Sequence, residues 1–370
     1  MARGTNFSEI VPLVAEVRWE KGRPVIVRPS VAFRSLTSTG RPVGLALRIG
    51  PFSGPFAAND ERAQSLAALA SALVTEARTN LPAVSELQID FDCAESKLDG
   101  YRLWVETIRR RVAPVPVVFT ALPSWLKRSE FATLARAADG FILQVHSLDP
   151  PRQANAPFTL CDPAAARRAV TQAARVGVPF RVALPTYGYL VAFDSTGKFL
   201  GLSAEGPAST WPDGVTQRDV RADPVAMAGL ISEWMTHRPS SLRGVIWYRL
   251  PVSGDRLNWR WPTLAAAMAG SSPQASLRAV TRRAAGGLVD VDLHNDGAAD
   301  QSHPVQLVLH WKAGRVVACD GLAGFEVTER AGNQLRFHVS DLRLEAGTKR
   351  SVGWVRFDRE TEVEAVLEPR

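Results

Sequence analysis

Short apolar segments alternate with helix-forming stretches from residue 13 to about residue 250, the pattern of a mostly parallel sheet wrapped by helices. Seven segments read as strands: Leu13 to Trp19, Val43 to Ile49, Leu87 to Asp92, Val115 to Leu122, Gly140 to Ser147, Phe180 to Tyr187 and Gly244 to Leu250. Between them, Asn59 to Asn80, Asp99 to Val112, Ser129 to Ala138, Asp162 to Val176 and Asp223 to His237 read as helices. In the first of these, Leu66, Leu69, Leu73 and Val74 recur at helical spacing behind an Asn59-Asp60 start signal. The pattern predicts an α/β fold, a (β/α)8-type TIM barrel that is one strand short of eight. Either a first strand precedes Met1, and an export signal with it, or the barrel closes differently.

The connection after the Phe180 strand runs for about 55 residues, and connections of that length carry function or structure of their own. Here Tyr189 to Phe193 and Lys198 to Leu202 read as a hairpin around Asp194-Ser195-Thr196-Gly197, followed by a Gly/Pro/Ser stretch from Gly206 to Gly214. Beyond a short Ala-rich helix after Trp261-Pro262, Gly270-Ser271-Ser272-Pro273 marks a linker, and the pattern changes to strands alone. Leu288 to His294, Val305 to Trp311, Gly324 to Glu329, Gln334 to Val339, Lys349 to Phe357 and Val363 to Leu367 predict a C-terminal all-β sandwich domain. The expected division is a barrel over residues 1–272 and a β-sandwich accessory domain over 273–370.

The 370 residues are 46% hydrophobic and 22% charged, enough to bury a large core, and no run of apolar residues is long enough for an integral membrane segment. The net charge of +7 invites an anionic partner such as nucleic acid. The basic residues are scattered, however, and Arg109-Arg110-Arg111 closes a predicted helix where cations suit the dipole. With no zinc-finger, basic-zipper or RNA-binding signature, the sequence predicts no nucleic-acid partner. Cys93, Cys161 and Cys319 are too few and too far apart for a disulfide framework or a zinc site, and no metal or cofactor is expected. P-loop, dinucleotide-binding and nucleophile-elbow motifs are absent; Gly201-Leu202-Ser203-Ala204-Glu205 breaks the last at its final position. Oligomeric state is not legible.

Side chains alternate along a strand, so polar residues two apart in an apolar strand share a face, and in a barrel that face is the interior. On this reading Gln88, Asp90 and Asp92 point inward from one strand, Gln144 and His146 from another, and Glu16 and Arg18 from the first. Arg48 sits late in the second strand, Tyr187 late in the sixth, and Trp247 and Arg249 at the end of the last. Active sites of such barrels lie at the C-terminal strand ends. Two carboxylates held close in a partly dry site are driven to different pKa values, which suits one to be an acid and the other a base, as glycosidic cleavage requires. Asp92, Asp90 and Glu16 are therefore the candidate catalytic residues, with Glu95 a further candidate partner of Asp92. Arg48, Gln144, His146, Tyr187, Trp247 and Arg249 are the candidate substrate-binding residues. Each also has a structural reading: Asp90 as the ion-pair partner of Arg48, His146 as a hydrogen-bonded rim histidine, Trp211, Trp247 and Tyr248 as packing. Cys93 has no histidine partner in sequence, and a metal held by Asp90, Asp92 and His146 has no other support.

Leu87-Gln88-Ile89-Asp90-Phe91-Asp92, followed by Glu95-Ser96-Lys97-Leu98-Asp99-Gly100-Tyr101, resembles a bacterial family known as domain of unknown function 3142. Leu13 to Val17, Leu45 to Ile49, Leu143 to His146, Leu184 to Tyr189 and Trp247 to Pro251 look like that family's other strand motifs. The resemblance implies a glycosidase-like barrel, export from the cytoplasm and an earlier Trp-containing strand; it supplies no reaction. The Asp90–Asp92 strand also resembles the acidic strand of the chitinase-like family 18 glycoside hydrolases, in which a catalytic glutamate stands two residues after the last aspartate. Here that position is Ala94, and Glu95 is one residue out of phase. The expectation is a carbohydrate-active protein with a polysaccharide or oligosaccharide partner, either a glycoside hydrolase or a non-catalytic glycan-binding or envelope-associated protein.

Overall fold

The computed structural model describes residues 2–57, 60–146, 151, 153–204 and 211–368. Asn59, Ser147, Glu205 and residues 206–210 of the Gly/Pro/Ser stretch lie outside the described residues. Two compact units divide the chain. The first comprises Met1–Pro150, Leu160–Pro185 and Arg238–Tyr248; the second comprises Pro151–Thr159, Thr186–His237 and Arg249–Arg370.

In chain order the first unit contains β1 (Leu13–Glu20), β2 (Arg23–Val27), α1 (Phe33–Thr37), β3 (Leu45–Ile49), α2 (Glu61–Arg78), β4 (Leu87–Phe91), α3 (Leu98–Val112), β5 (Val117–Ala121), α4 (Ser129–Ala137), β6 (Gly140–Gln144), α5 (Pro163–Ala174) and β7 (Phe180–Pro185). Then β8 (Gly188–Phe193), β9 (Phe199–Ser203), β10 (Thr216–Arg221) and α6 (Pro224–Thr236) belong to the second unit, and β11 (Leu242–Tyr248) returns to the first. The first unit's sheet has the order β11-β7-β6-β5-β4-β3-β1-β2. Its seven parallel strands are the seven expected. The eighth, β2, runs antiparallel to β1 through a two-residue turn at Lys21-Gly22, both with positive φ, as a type I′ hairpin demands. Pro24 is tolerated in β2 because that strand pairs on one side only.

Helix starts are chemically explicit. Asp60 accepts from the Ala63 amide at 2.6 Å to open α2, and Asp162-Pro163 and Asp223-Pro224 repeat one device at α5 and α6: an aspartate cap and a proline at the first helical position. On the helix side of the sheet, Phe91, Tyr101, Trp104, Phe119, Trp125, Phe131, Phe141 and Phe180 are fully buried and form a nearly continuous run of ring contacts. Trp104 anchors one end, stacked on Phe52 at 5.2 Å and against Phe56 at 4.6 Å. Gly100 of α3 lies beneath that stack, where an added Cβ falls 2.5 Å from Phe56 Cβ. Gly100→Ala is therefore expected to destabilise by about 1–3 kcal/mol, although Ala is the better helix former by about 1 kcal/mol. A urea midpoint unchanged or raised would contradict it.

In the second unit, β8 pairs with both β9 and β10, and Val191, Phe193 and Val220 form its small core with Phe158 and Phe199. Beyond α7 (Trp261–Met268), β12 (Leu277–Ala284), β13 (Leu288–Asn295), β14 (Val305–Trp311), β15 (Val316–Gly321), β16 (Glu326–Ala331), β17 (Gln334–Val339), β18 (Lys349–Phe357) and β19 (Val363–Leu367) build an all-β domain. Two antiparallel sheets, β12-β13-β18-β15 and β16-β17-β14-β19, enclose one core that includes Val291, Leu307, Leu335, Phe337 and Val352.

Candidate active site

The interior face of the first unit's sheet is layered. At the N-terminal strand ends, Arg181 donates to Glu9 at 2.8 Å and to both Glu86 oxygens at 2.5 and 2.6 Å, and Gln88 donates to Glu86 at 2.7 Å. Above this lies an apolar layer of Val118, Ile142 and Ala183 with Ile246 packed against it. The polar groups with chemical potential come one pleat later, towards the C-terminal ends.

Registry places Glu16 of β1, Arg48 of β3 and Asp90 of β4 directly opposite one another on adjacent strands. The Arg48 guanidinium is 4.0 Å from Asp90, and the Thr120 hydroxyl of β5 donates to the other Asp90 oxygen at 2.9 Å. Burial alone lowers the pKa of Arg48, but the charges of Asp90, Tyr248, Glu16 and Asp92 outweigh it and push the value up. Asp92 sits just past the end of β4, at the exposed rim. Loss of hydration first, and repulsion from Asp90 second, raise its carboxyl above the ordinary value despite the opposing Arg48.

Gln144 ends β6 and donates to the His146 carbonyl at 3.3 Å. His146 is buried, and its ring lies parallel to Tyr248 with centroids 5.7 Å apart. Burial drives its imidazole down to about 4, so it is neutral at physiological pH. The sign follows. Between about pH 6.5 and 4 the unfolded chain takes up a proton that the folded one refuses, so this histidine removes stability as pH falls, on the order of 3 kcal/mol in full. His146→Phe is expected to abolish that part of the acid sensitivity; identical loss from pH 7 to 4 in both proteins, measured by denaturant unfolding, would disprove it.

Tyr248, two residues after the inward Ile246, is the aromatic group that faces the interior, with 46% of its surface exposed. Trp247 occupies the alternate phase, away from the polar row. Adjacent strand residues point to opposite faces. The sequence gives Tyr248 as a packing residue and does not single out Thr120, whose signal is a lone hydroxyl in Val-Val-Phe-Thr-Ala, two residues from inward Val118.

Tyr187 and Arg249 lie in the second unit. The Tyr187 and Tyr189 rings meet edge to face at 5.2 Å. Arg249 donates at 2.5 Å to buried Asp255, which also accepts from Asn258 and the Val252 amide. Glu95 is engaged by Arg128 at 3.2 Å. The Cys93 thiol is buried and pushed up to about 12, which keeps it protonated and unsuited to attack. Among the described residues no three His, Cys, Asp or Glu side chains group so as to hold a metal ion.

Known proteins align with this architecture. The chitinase ChiA74 from Bacillus thuringiensis superposes with a TM-score of 0.50 at 9% identity, covering 100% of this chain and 96% of that one. A chitinase from Chromobacterium violaceum superposes with a TM-score of 0.51 at 13% identity, over 72% of this chain and 92% of that one. These likenesses show the fold alone, a barrel of the type that these two chitinases have. No curated protein matches the sequence. Residues 278–358 match the family described as domain of unknown function DUF8456. Residues 39–253, more than half of the chain and spanning Arg48, Asp90, Asp92, His146 and Tyr248, match another family model, and the chain belongs to that family, the domain of unknown function DUF3142.

Proposed function

We propose that the protein acts on carbohydrate at the open end of its barrel and cleaves glycosidic bonds, with Asp92 as proton donor and Asp90 or Glu16 as the second carboxylate. The observation that carries the reading is the row Glu16–Arg48–Asp90 beneath a rim carboxyl, Asp92, whose proton is retained to higher pH. Carboxyl groups set apart by environment are what acid–base cleavage of an acetal needs. Arg48 fixes Asp90, and Tyr248, backed by neutral His146, offers an aromatic face to a sugar ring. Gln144 lies within the same interior phase as a hydrogen-bonding side chain.

One observation favours a second reading. Ala94 occupies the place where chitinase-like barrels carry their catalytic glutamate, and an alanine transfers no proton. On that reading the barrel holds a glycan without cutting it. Incubation with a broad panel of polysaccharides, with analysis of released reducing ends, separates the two: product released by the wild-type protein supports the hydrolase, and retention on an immobilised glycan without any product supports the binding protein. Neither product nor retention across the panel would sink the carbohydrate reading itself.

A further inference from the structure

A cleft opens in the first unit between the short 3-10 turn Pro123–Lys127 that follows β5 and the flank of α5. It encloses about 580 Å³. Ala165, Arg168, Ala169 and Gln172 line one wall, spaced as one helical face, and Ser124, Lys127, Arg128 and Glu95 line the other. Three cations therefore meet one carboxylate. Glu95 is taken by Arg128 at 3.2 Å, while Lys127 and Arg168 make no ion pair with any carboxylate among the described residues. Both are exposed, and the alanines between them leave room for a ligand.

We infer that this cleft is an accessory subsite for an acidic sugar, holding the carboxylate of a uronate residue in the same glycan chain that enters the Asp92 mouth. The inference rests on the carbohydrate reading of that mouth and adds the charge of the substrate to it. The Arg168 guanidinium fork matches a planar carboxylate, Lys127 supplies a second charge, and Ser124 and Gln172 carry polar groups suited to ring hydroxyls. Glu95 follows Asp92 by three residues, so the cleft wall begins within about 10 Å of the proton donor along the backbone. Neighbouring sugars of one chain can span that separation. The mouth itself is acidic, so an anionic substituent is directed to the cleft and away from Asp90 and Asp92.

The test compares a β-1,4-linked glucuronate hexamer with the matched glucose hexamer by calorimetric or NMR titration against the full chain. The glucuronate hexamer is expected to bind about tenfold more tightly at low ionic strength, with the preference shrinking as salt rises. In the doubly substituted Lys127→Gln, Arg168→Gln protein the preference is expected to fall to about one, with glucose-hexamer affinity unchanged. Arg111→Gln, which removes an exposed cation at the end of α3, is expected to keep the preference and so controls for net charge. Equal affinity of the wild-type protein for both hexamers, or a preference that survives the double substitution, overturns the subsite while leaving the carbohydrate reading intact. Failure of both hexamers to bind overturns the subsite as well, and the polysaccharide panel then decides separately whether the mouth takes sugar at all.

Discussion

Asp92→Asn is expected to reduce kcat/KM on the cleaved glycan by about 10²–10⁴-fold, the usual worth of a positioned general acid. The amide keeps the shape and the hydrogen-bonding reach of the carboxyl but has no proton to give. Wild-type activity is expected to fall on the alkaline side as pH rises through the raised pKa of Asp92, because the acid form is then lost. That limb is expected to vanish in the residual activity of the variant. Stability moves the other way. A carboxyl whose folded pKa lies above its unfolded value contributes stability below the unfolded value and loses it as pH rises through the folded one. At neutral pH the charge on Asp92 therefore opposes folding, and the Asn variant is expected to melt at the same temperature or slightly higher. A variant that cleaves at the wild-type rate would move the proton donor elsewhere, with Glu16→Gln the next substitution to make. A variant that is inactive because it unfolds would show a lowered melting temperature, so the two readouts together keep the assignment open to refutation.

The acidic row was legible because its residues are charged interruptions in strands that are otherwise apolar, and a period of two fixes their common face. That Glu16, Arg48 and Asp90 lie opposite one another is a matter of register between strands, which phase within one strand does not fix. Periodicity gave no purchase on Trp247-Tyr248, two adjacent aromatics of which one must point inward. The choice is made by the packing of Ile246 against Val118, Ile142 and Ala183, which is a property of neighbouring strands and not of the segment itself. The strands that escaped notice failed for local reasons. β2 carries a proline and follows a Lys-Gly turn instead of the stronger Asn-Gly signal, and β10, Thr-Gln-Arg-Asp-Val-Arg, has almost no apolar alternation because only Val220 is buried. β12, with Arg278, Arg282 and Arg283, hid in the same way, and so did β15, Val-Val-Ala-Cys-Asp-Gly, of which only Val316 is buried. The parallel strands β3, β4, β5, β6 and β7 are legible because their helix-side residues are buried and apolar, which leaves a short apolar run in each.

Arg181→Met is expected to be the most destabilising single change at the barrel floor, by about 3–5 kcal/mol out of a total of about 5–15 kcal/mol for a domain. The guanidinium neutralises two carboxylates at once, Glu86 in a bidentate contact and Glu9 in a single one, and the Glu86 side chain is only 11% exposed. Burial and the nearby Glu86 already push the pKa of Glu9 up, with Ser85 and Arg181 opposing them. Without Arg181 the two acids face each other in a poorly hydrated space, and Glu9, already raised, then binds its proton still more tightly folded than unfolded. The sign of the pH dependence is fixed by that. Stability of the variant is lost as pH rises through the raised value of Glu9, so its deficit against the wild type should be largest near pH 8 and shrink towards pH 5. Adding Glu86→Gln to Arg181→Met removes one of the stranded charges and is expected to recover a large part of the loss, since a broken pair costs more than an absent one. Denaturant midpoints at the two pH values decide the matter: a deficit under about 1 kcal/mol, or one that does not change with pH, would mean that water or backbone rearrangement satisfies the acids. In that event the floor would not be what holds β4 and β7 in the register that presents Asp90 to Arg48.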